Sequence, residues 1–217
     1  MIKCNNANSN NNDGIHLDYH SNYNTFTGNN VNLNNNRGIH LYYSSNNMIK
    51  CNNVNSNNND GIHLDYFNNY NTITCNNALN NNYGIVMSFH SNDNLLYHNN
   101  IIDNNNSAYD ECNNIWYNST FHEGNYWSDY TGEDNNHDGI GDTPYDVLGG
   151  SKQDLYPLME PRSCVNRPPS APTITGPTNG KPNIEYDFTF VSTDPEGDAV
   201  VYNVRWGDGD TEWTEYA

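Results

Sequence analysis

The chain has 217 residues and a formal charge of −18, from 26 acidic against 8 basic side chains. Such a surface repels phosphate backbones and anionic headgroups, which argues against nucleic acid and membrane-surface partners and favours cations, neutral sugars or basic protein patches. No apolar run approaches the ~18 residues of a membrane helix, and the first residues read as the tail of a repeat already under way, as in a piece of a longer secreted precursor.

Hydrophobic content is only 34%, which would suit a disordered chain were the apolar residues not regularly spaced. Residues 1–6 carry a partial copy of a pattern that then settles. GIHLDY starts at Gly14, GIHLYY at Gly38, GIHLDY at Gly61 and GIVMSF at Gly84, at intervals of 24, 23 and 23 residues. Asn24, Asn47, Asn71 and Asn94 keep the same beat, as do Phe26, Ile49, Ile73 and Leu96, and then Asn30, Asn53, Asn77 and Asn100. The last partial copy ends near Asn106. Apolar and polar residues alternate, which is the strand period. Ile15, Leu17 and Tyr19 are expected on the inner face, and His16 and Asp18 on the outer one. Phe26 opens a second strand, and Val31 with Leu33 a third.

Three short strands with polar corners make one coil of a right-handed parallel β-helix, stacked on the next at ~4.8 Å. Asn accounts for about a fifth of the chain, against a much lower average usage. It tolerates left-handed corners, and in register its amide can donate to and accept from the coils above and below as a ladder.

Two columns carry possible chemistry. His16, His40 and His63 share an outward column flanked by Asp18, Tyr42 and Asp65. Stacked imidazoles a coil apart could share Cu²⁺ or Zn²⁺, or could form a solvated face, since the fourth coil has Val86 there. Tyr42, Asp18 and Asp65 are the residues best suited to contact sugar rings and hydroxyls. Cys4, Gly28, Cys51, Cys75 and His98 form the second column. Alternation places it on the inner face with Phe26, where reduced, buried packing is expected, although Cys51 and Cys75 would also lie within disulfide reach.

Residues 1–123 are thus read as coils and residues 124–160 as a capping segment, because an open end exposes apolar cross-section and unpaired backbone. Tyr126, Trp127, Tyr130, Tyr145 and Tyr156 make that segment aromatic. Inside it, Asp134, Asn136, Asp138 and Asp142, with the carbonyl of Ile140 and the turn at Gly139, follow the spacing of a Ca²⁺ loop. Tyr145 stands where such a loop has its bidentate Glu, and the other reading is an acidic turn held by Asx hydrogen bonds.

The pattern N-x-I-x-x-N-N…N-N-x-G-I-x-L resembles the repeats of NosD-type parallel β-helix proteins. AYDECNNIWYN at 108–118 and GNYWSDYTGEDNNHDGIGDTPYDVLGG…DLYPLMEP at 124–161 are similar to the tails of such β-helices in archaeal surface proteins. The resemblance implies a periplasmic copper-binding or a carbohydrate-binding, sugar-hydrolysing protein, secreted or at the cell surface. Residues 161–172 are Pro-rich and read as a linker. Residues 173–217 alternate as strands around the turns at 194–198 and 206–210, and resemble a PKD or Ig-like module. At about 50 residues this segment is shorter than the ~100 of an Ig-type sandwich, so it is expected to be incomplete, with further such modules in a longer chain.

Enzymes of this fold class use a cationic base beside carboxylates, or paired carboxylates at a set separation. Arg37 is the only basic side chain of the coils besides Lys3 and Lys50, and no acidic cluster is expected to face it. Asp18 and Asp65 lie two coils apart, roughly 9–10 Å by coil spacing, with no groove implied. No catalytic residue is therefore assigned. The expected function is a non-catalytic protein that binds carbohydrate or envelope components, with a structural Ca²⁺ in the cap. The alternatives are a polysaccharide-active enzyme and a NosD-type copper binder with Cu²⁺ on the histidine column.

Overall fold

A computed structural model describes residues 1–163, 169–181, 184–193, 200–206, 209 and 211–214. Two compact units are present, Met1–Cys164 and Val165–Ala217. The first is a parallel β-helix, as the repeat implies, and no α-helix occurs among the described residues.

Three parallel sheets run the length of the first unit. One stacks Ile2–Lys3, Thr25–Thr27, Met48–Lys50, Thr72–Thr74 and Leu95–Tyr97. The second stacks Ile15–Leu17, Ile39–Tyr42, Asp60–Asp65, Tyr83–Ser88 and Asn106–Asp110. The third stacks Asn53–Asn55, Asn77–Leu79, Asn100–Ile102 and Tyr126–Trp127.

The register is that of the sequence columns. Ile15, Ile39, Ile62 and Ile85 pair in turn, and so do Leu17, Leu41, Leu64 and Met87. Phe26, Ile49, Ile73 and Leu96 do the same on the first sheet. Val54, Ala78, Ile101 and Trp127 line the third. These columns form one buried core. The glycine before each Ile is needed for the stacking itself: a Cβ at Gly61 would lie 2.6 Å from the carbonyl oxygen of Gly84.

Asparagine ladders run beside the core. Asn29, Asn52, Asn76 and Asn99 each give both the backbone N–H and the side-chain amide to the carbonyl oxygen of the next Asn, ending at Asn125, with distances of 2.8–3.1 Å. The expected Asn24, Asn47, Asn71 and Asn94 column forms a second ladder. A third passes through Asn34, Asn57, Asn81 and Asn104.

The corners differ from expectation. Asn was expected to supply the left-handed residues, yet most of them are Cys, Tyr, Leu, Ser or His, among them Cys51, Tyr43, Leu33 and Ser56. The ladder amides hold the chain around those corners, and the strained residue need not be Asn. Left-handed φ also breaks the alternation. Cys4 is exposed and Cys51 and Cys75 are half-exposed, so the cysteine column does not share the inner face with Phe26. Tyr19 and Leu33 leave the core for the same reason, at 64% and 61% exposure.

After residue 123, Tyr126–Trp127 adds one more parallel rung on Asn100–Ile102, and Leu158 bridges to Tyr126 beyond it. Trp116 and Trp127 are buried at the last coil, and Tyr145 stacks on Trp127 with ring centroids 4.0 Å apart. In the second unit Thr173–Thr175 pairs antiparallel with Thr189–Val191, and Asn203–Arg205 with Thr211–Trp213. The expected turn at 194–198 lies outside the described residues, as do 207, 208 and 210 of the other turn.

Candidate metal centre

The outward face of the second sheet brings the histidine column together with the residues just before each Gly-Ile pair. Asp13, Arg37, Asp60 and Tyr83 occupy that position in successive coils, and the next-but-two residues are His16, His40, His63 and Val86. Strand alternation points the histidines away from the core; three residues is an odd step, and it is the observed contacts that place Asp13, Arg37 and Asp60 against the imidazoles.

The imidazoles do not form a solvated face. His16 is exposed, but His40 and His63 are buried, at 5% and 8% exposure. Asp13, Arg37 and Asp60 fold over them. Asp13 Oδ2 lies 3.0 Å from His40 Nδ1 and 3.9 Å from His16 Nδ1. The His16 and His40 rings stack with centroids 4.4 Å apart. Asp13 Oδ1 accepts the backbone N–H of Arg37 at 3.1 Å, which fixes the carboxylate. Asp13, His16 and His40 can each turn one ligand atom to within 4.8 Å of the others.

The electrostatics suit a cation. Burial raises the Asp13 carboxyl, but the hydrogen bonds from His40 and the Arg37 amide and the nearby positive charge hold it below the ordinary aspartate value. Burial lowers the His40 imidazole, Asp13 partly opposes this, and Arg37 lowers it further. An ionised carboxylate beside a neutral imidazole is the protonation state in which both groups coordinate.

Arg37, which no acidic cluster is expected to face, does meet one carboxylate. Its Nε lies 3.5 Å from Asp60 Oδ2. Its Nη1 lies 3.3 and 3.4 Å from the two ring nitrogens of His40. Near-equal distances to both nitrogens place the guanidinium over the ring rather than on either lone pair. Asp60 also holds His63 Nδ1 at 2.7 Å, and His63 Nε2 meets Ser88 Oγ at 3.0 Å. Ser88 Oγ in turn donates to Asp65 Oδ1 at 3.2 Å.

Of the residues named from sequence, His16 and His40 join this site, and His63 lies on the far side of Arg37. Asp13 and Asp60 were missed; the signal was a D-G-I-H motif repeated at Asp13 and Asp60. Asp18 is exposed and Asp65 half-buried. The Tyr42 ring meets Tyr19, Tyr43 and Tyr66 at centroid distances of 5.4, 4.8 and 5.2 Å. Tyr19, Tyr43 and Tyr66 stack further up to Phe89, so these rings cover one another's faces. In the cap loop, Asp134 accepts the N–H groups of Asp138 and Gly139, and Asp138 that of Ile140. Asn136 donates its amide to Asp138, and Asp142 accepts from Asn135. Bonds of this kind hold an acidic turn and accompany the oxygen spacing of a Ca²⁺ loop alike.

The fold and this face define a parallel β-helix protein with an acidic and imidazole cluster suited to a divalent cation. Residues 2–132 match the family model of NosD, periplasmic copper-binding protein, and the chain belongs to that family. The family's periplasmic description agrees with the secreted or cell-surface placement expected from sequence, and no helix among the described residues is long and apolar enough to cross a membrane. No curated protein and no solved structure matches the chain.

Proposed function

We propose that this NosD-family β-helix binds a copper(II) ion through the Asp13 carboxylate and one ring nitrogen each of His16 and His40. The observation that carries the reading is that three ligand atoms from two coils come within 4.8 Å of one another. One carboxylate oxygen and two imidazoles suit Cu²⁺ better than Ca²⁺ or Mg²⁺, which prefer all-oxygen sites. The exposed His16 edge gives the ion its approach, and the stacked coils hold the ligands on strands rather than loops. Both imidazoles coordinate only in the neutral form, so protons compete with the ion for the ring nitrogens and binding weakens in acid.

Titration with Cu²⁺, followed by calorimetry and EPR, tests this. The wild type is expected to take up roughly one ion with nitrogen hyperfine structure from two imidazoles. His16→Ala is the cleanest variant because His16 is exposed; loss of one ligand is expected to weaken binding by at least about 10-fold. Equal affinity of wild type, His16→Ala and Asp13→Asn for Cu²⁺ would remove the site.

A further inference from the structure

Beyond the Asp13, His16 and His40 cluster the histidine column carries a further Asp–His pair, and a cation already lies against it. On the far side of His40 stand Asp60 and His63, with Asp60 Oδ2 2.7 Å from His63 Nδ1 and the His40 and His63 rings 5.6 Å apart at their centroids. This Asp–His pair repeats, two coils on, the Asp13–His16 pair of the first site. The difference is Arg37. Its guanidinium spans the gap, with Nε 3.5 Å from Asp60 Oδ2 and Nη1 over the His40 ring. The Nε is buried and makes no hydrogen bond, so it is held there by charge and shape rather than by a directed bond. The D-G-I-H motif reads R-G-I-H only in this coil.

We infer that Arg37 is the specificity-determining residue of the column: it is a covalently tethered cation that occupies the position between His40 and the Asp60–His63 pair, and limits the protein to one metal ion. This rests on copper binding at Asp13, His16 and His40. The mechanism is charge accounting within a coil spacing of ~4.8 Å. With Arg37 in place, Asp60 is neutralised and a second divalent ion would meet a guanidinium in van der Waals contact. Without it, the buried Asp60 carboxylate lacks its countercharge, and a metal ligated by Asp60, His63 and the free edge of His40 restores it. Glutamine in place of Arg37 keeps the stem and removes the charge.

The experiment is metal stoichiometry by elemental analysis after Cu²⁺ loading and desalting, with EPR of the same samples and circular dichroism to confirm folding. Wild type and Arg37→Lys are expected to hold roughly one ion per chain, and Arg37→Gln roughly two. The two Cu²⁺ ions in Arg37→Gln, sharing the His40 region, are expected to broaden each other's EPR lines and to give a half-field signal. Arg37→Gln with His63→Ala is expected to return to one ion with an uncoupled spectrum. Should Arg37→Gln bind one uncoupled ion like the wild type, the inference is overturned. Failure of the underlying reading looks different: in the Asp13→Asn, Arg37→Gln double variant the first site is removed, and binding that then depends on His63 supports the role of Arg37 by itself. Should Arg37→Gln fail to fold, Arg37→Tyr, which copies the residue two coils on (Tyr83), takes its place with the same expectations.

Discussion

The coil stack and the segment that closes it satisfy the same backbone groups with different side chains. Within the stack, each ladder Asn gives its backbone N–H and its side-chain amide to the side-chain carbonyl oxygen of the following Asn. At the closing end the acceptor is a carboxylate. Asn125 gives its N–H and its amide to Asp154 Oδ2 at 2.6 and 3.2 Å, and the Trp127 indole joins at 2.9 Å. The neighbouring ladder ends in the same way, where Asn114 and the Trp116 indole both donate to Asp110. An amide both donates and accepts, so it extends a ladder indefinitely; an ionised carboxylate only accepts, so it ends one. Each terminal Asp also receives an indole N–H that burial of a large cap residue would otherwise strand.

The sharpest way to break this distinction is to remove the terminator. Asp154→Ala leaves the Asn125, Trp127 and Tyr156 donors buried without an acceptor. A loss of about 3–5 kcal/mol is expected in urea unfolding, the range for an uncompensated buried polar group with several partners. Exchanging the two chemistries is the next test. Asn76→Asp sets a carboxylate in mid-ladder, facing the Asn99 carbonyl oxygen that Asn76 now donates to. Two acceptors then meet in a buried site, and a loss of about 2–3 kcal/mol is expected. A loss under about 0.5 kcal/mol in Asn76→Asp would mean that the ladder does not need its donors.

The carboxylate terminator also makes the cap respond to pH where the amide stack cannot. Burial raises the Asp154 pKa to about 6, against the donations from Asn125, Trp127 and Tyr156 that lower it. The folded state therefore holds a proton over a range in which the unfolded state has lost it. This contribution is fully present below the unfolded value near 3.8 and is lost as pH rises through about 6. Its size is of the order of 1–3 kcal/mol. Asp13 acts in the opposite sense: its folded pKa is lowered, so its contribution is present above the unfolded value and is lost as pH falls through the folded one. Urea midpoints measured between pH 4 and 7 are expected to change less with pH in Asp154→Asn than in wild type. An identical slope in the two proteins would refute the Asp154 assignment.

The same contrast explains what the sequence made legible. The core columns at Ile15, Ile39, Ile62 and Ile85 were readable because a parallel coil repeats its environment, so register is spelled out by spacing. The ladder from Asn24 was readable for that reason, while the deeper ones through Asn29 and Asn34 were hidden among neighbouring Asn residues that point elsewhere. The metal-type cluster was half legible. His16 and His40 lie in one column, but Asp13 sits three residues earlier, and only the folded strand shows that its carboxylate reaches across to the next coil's imidazole. Arg37 was read as isolated because its acidic neighbours belong to the coils before and after it. The cap, without a repeat, offered composition but no register, and the roles of Asp110 and Asp154 had no signal in spacing.

The smallest expected effect concerns the corners, where the stack tolerates residues that local preference would reject. Leu33 stands at φ +57° and is largely exposed, while its amide donates to the Asn55 carbonyl of the next coil. A branched apolar residue in the left-handed region costs roughly 1–2 kcal/mol relative to its preferred conformation, and Leu33 buries too little surface to offset that itself. The ladders on either side must hold it. Leu33→Asn keeps the backbone bond and supplies a residue that visits this conformation readily. A gain of about 0.5–1 kcal/mol is expected, read as a rise in the urea midpoint at unchanged slope. A loss instead would show that the Leu33 side chain packs against something that exposure alone does not reveal, and that the corner is set by the side chain rather than imposed by the stack.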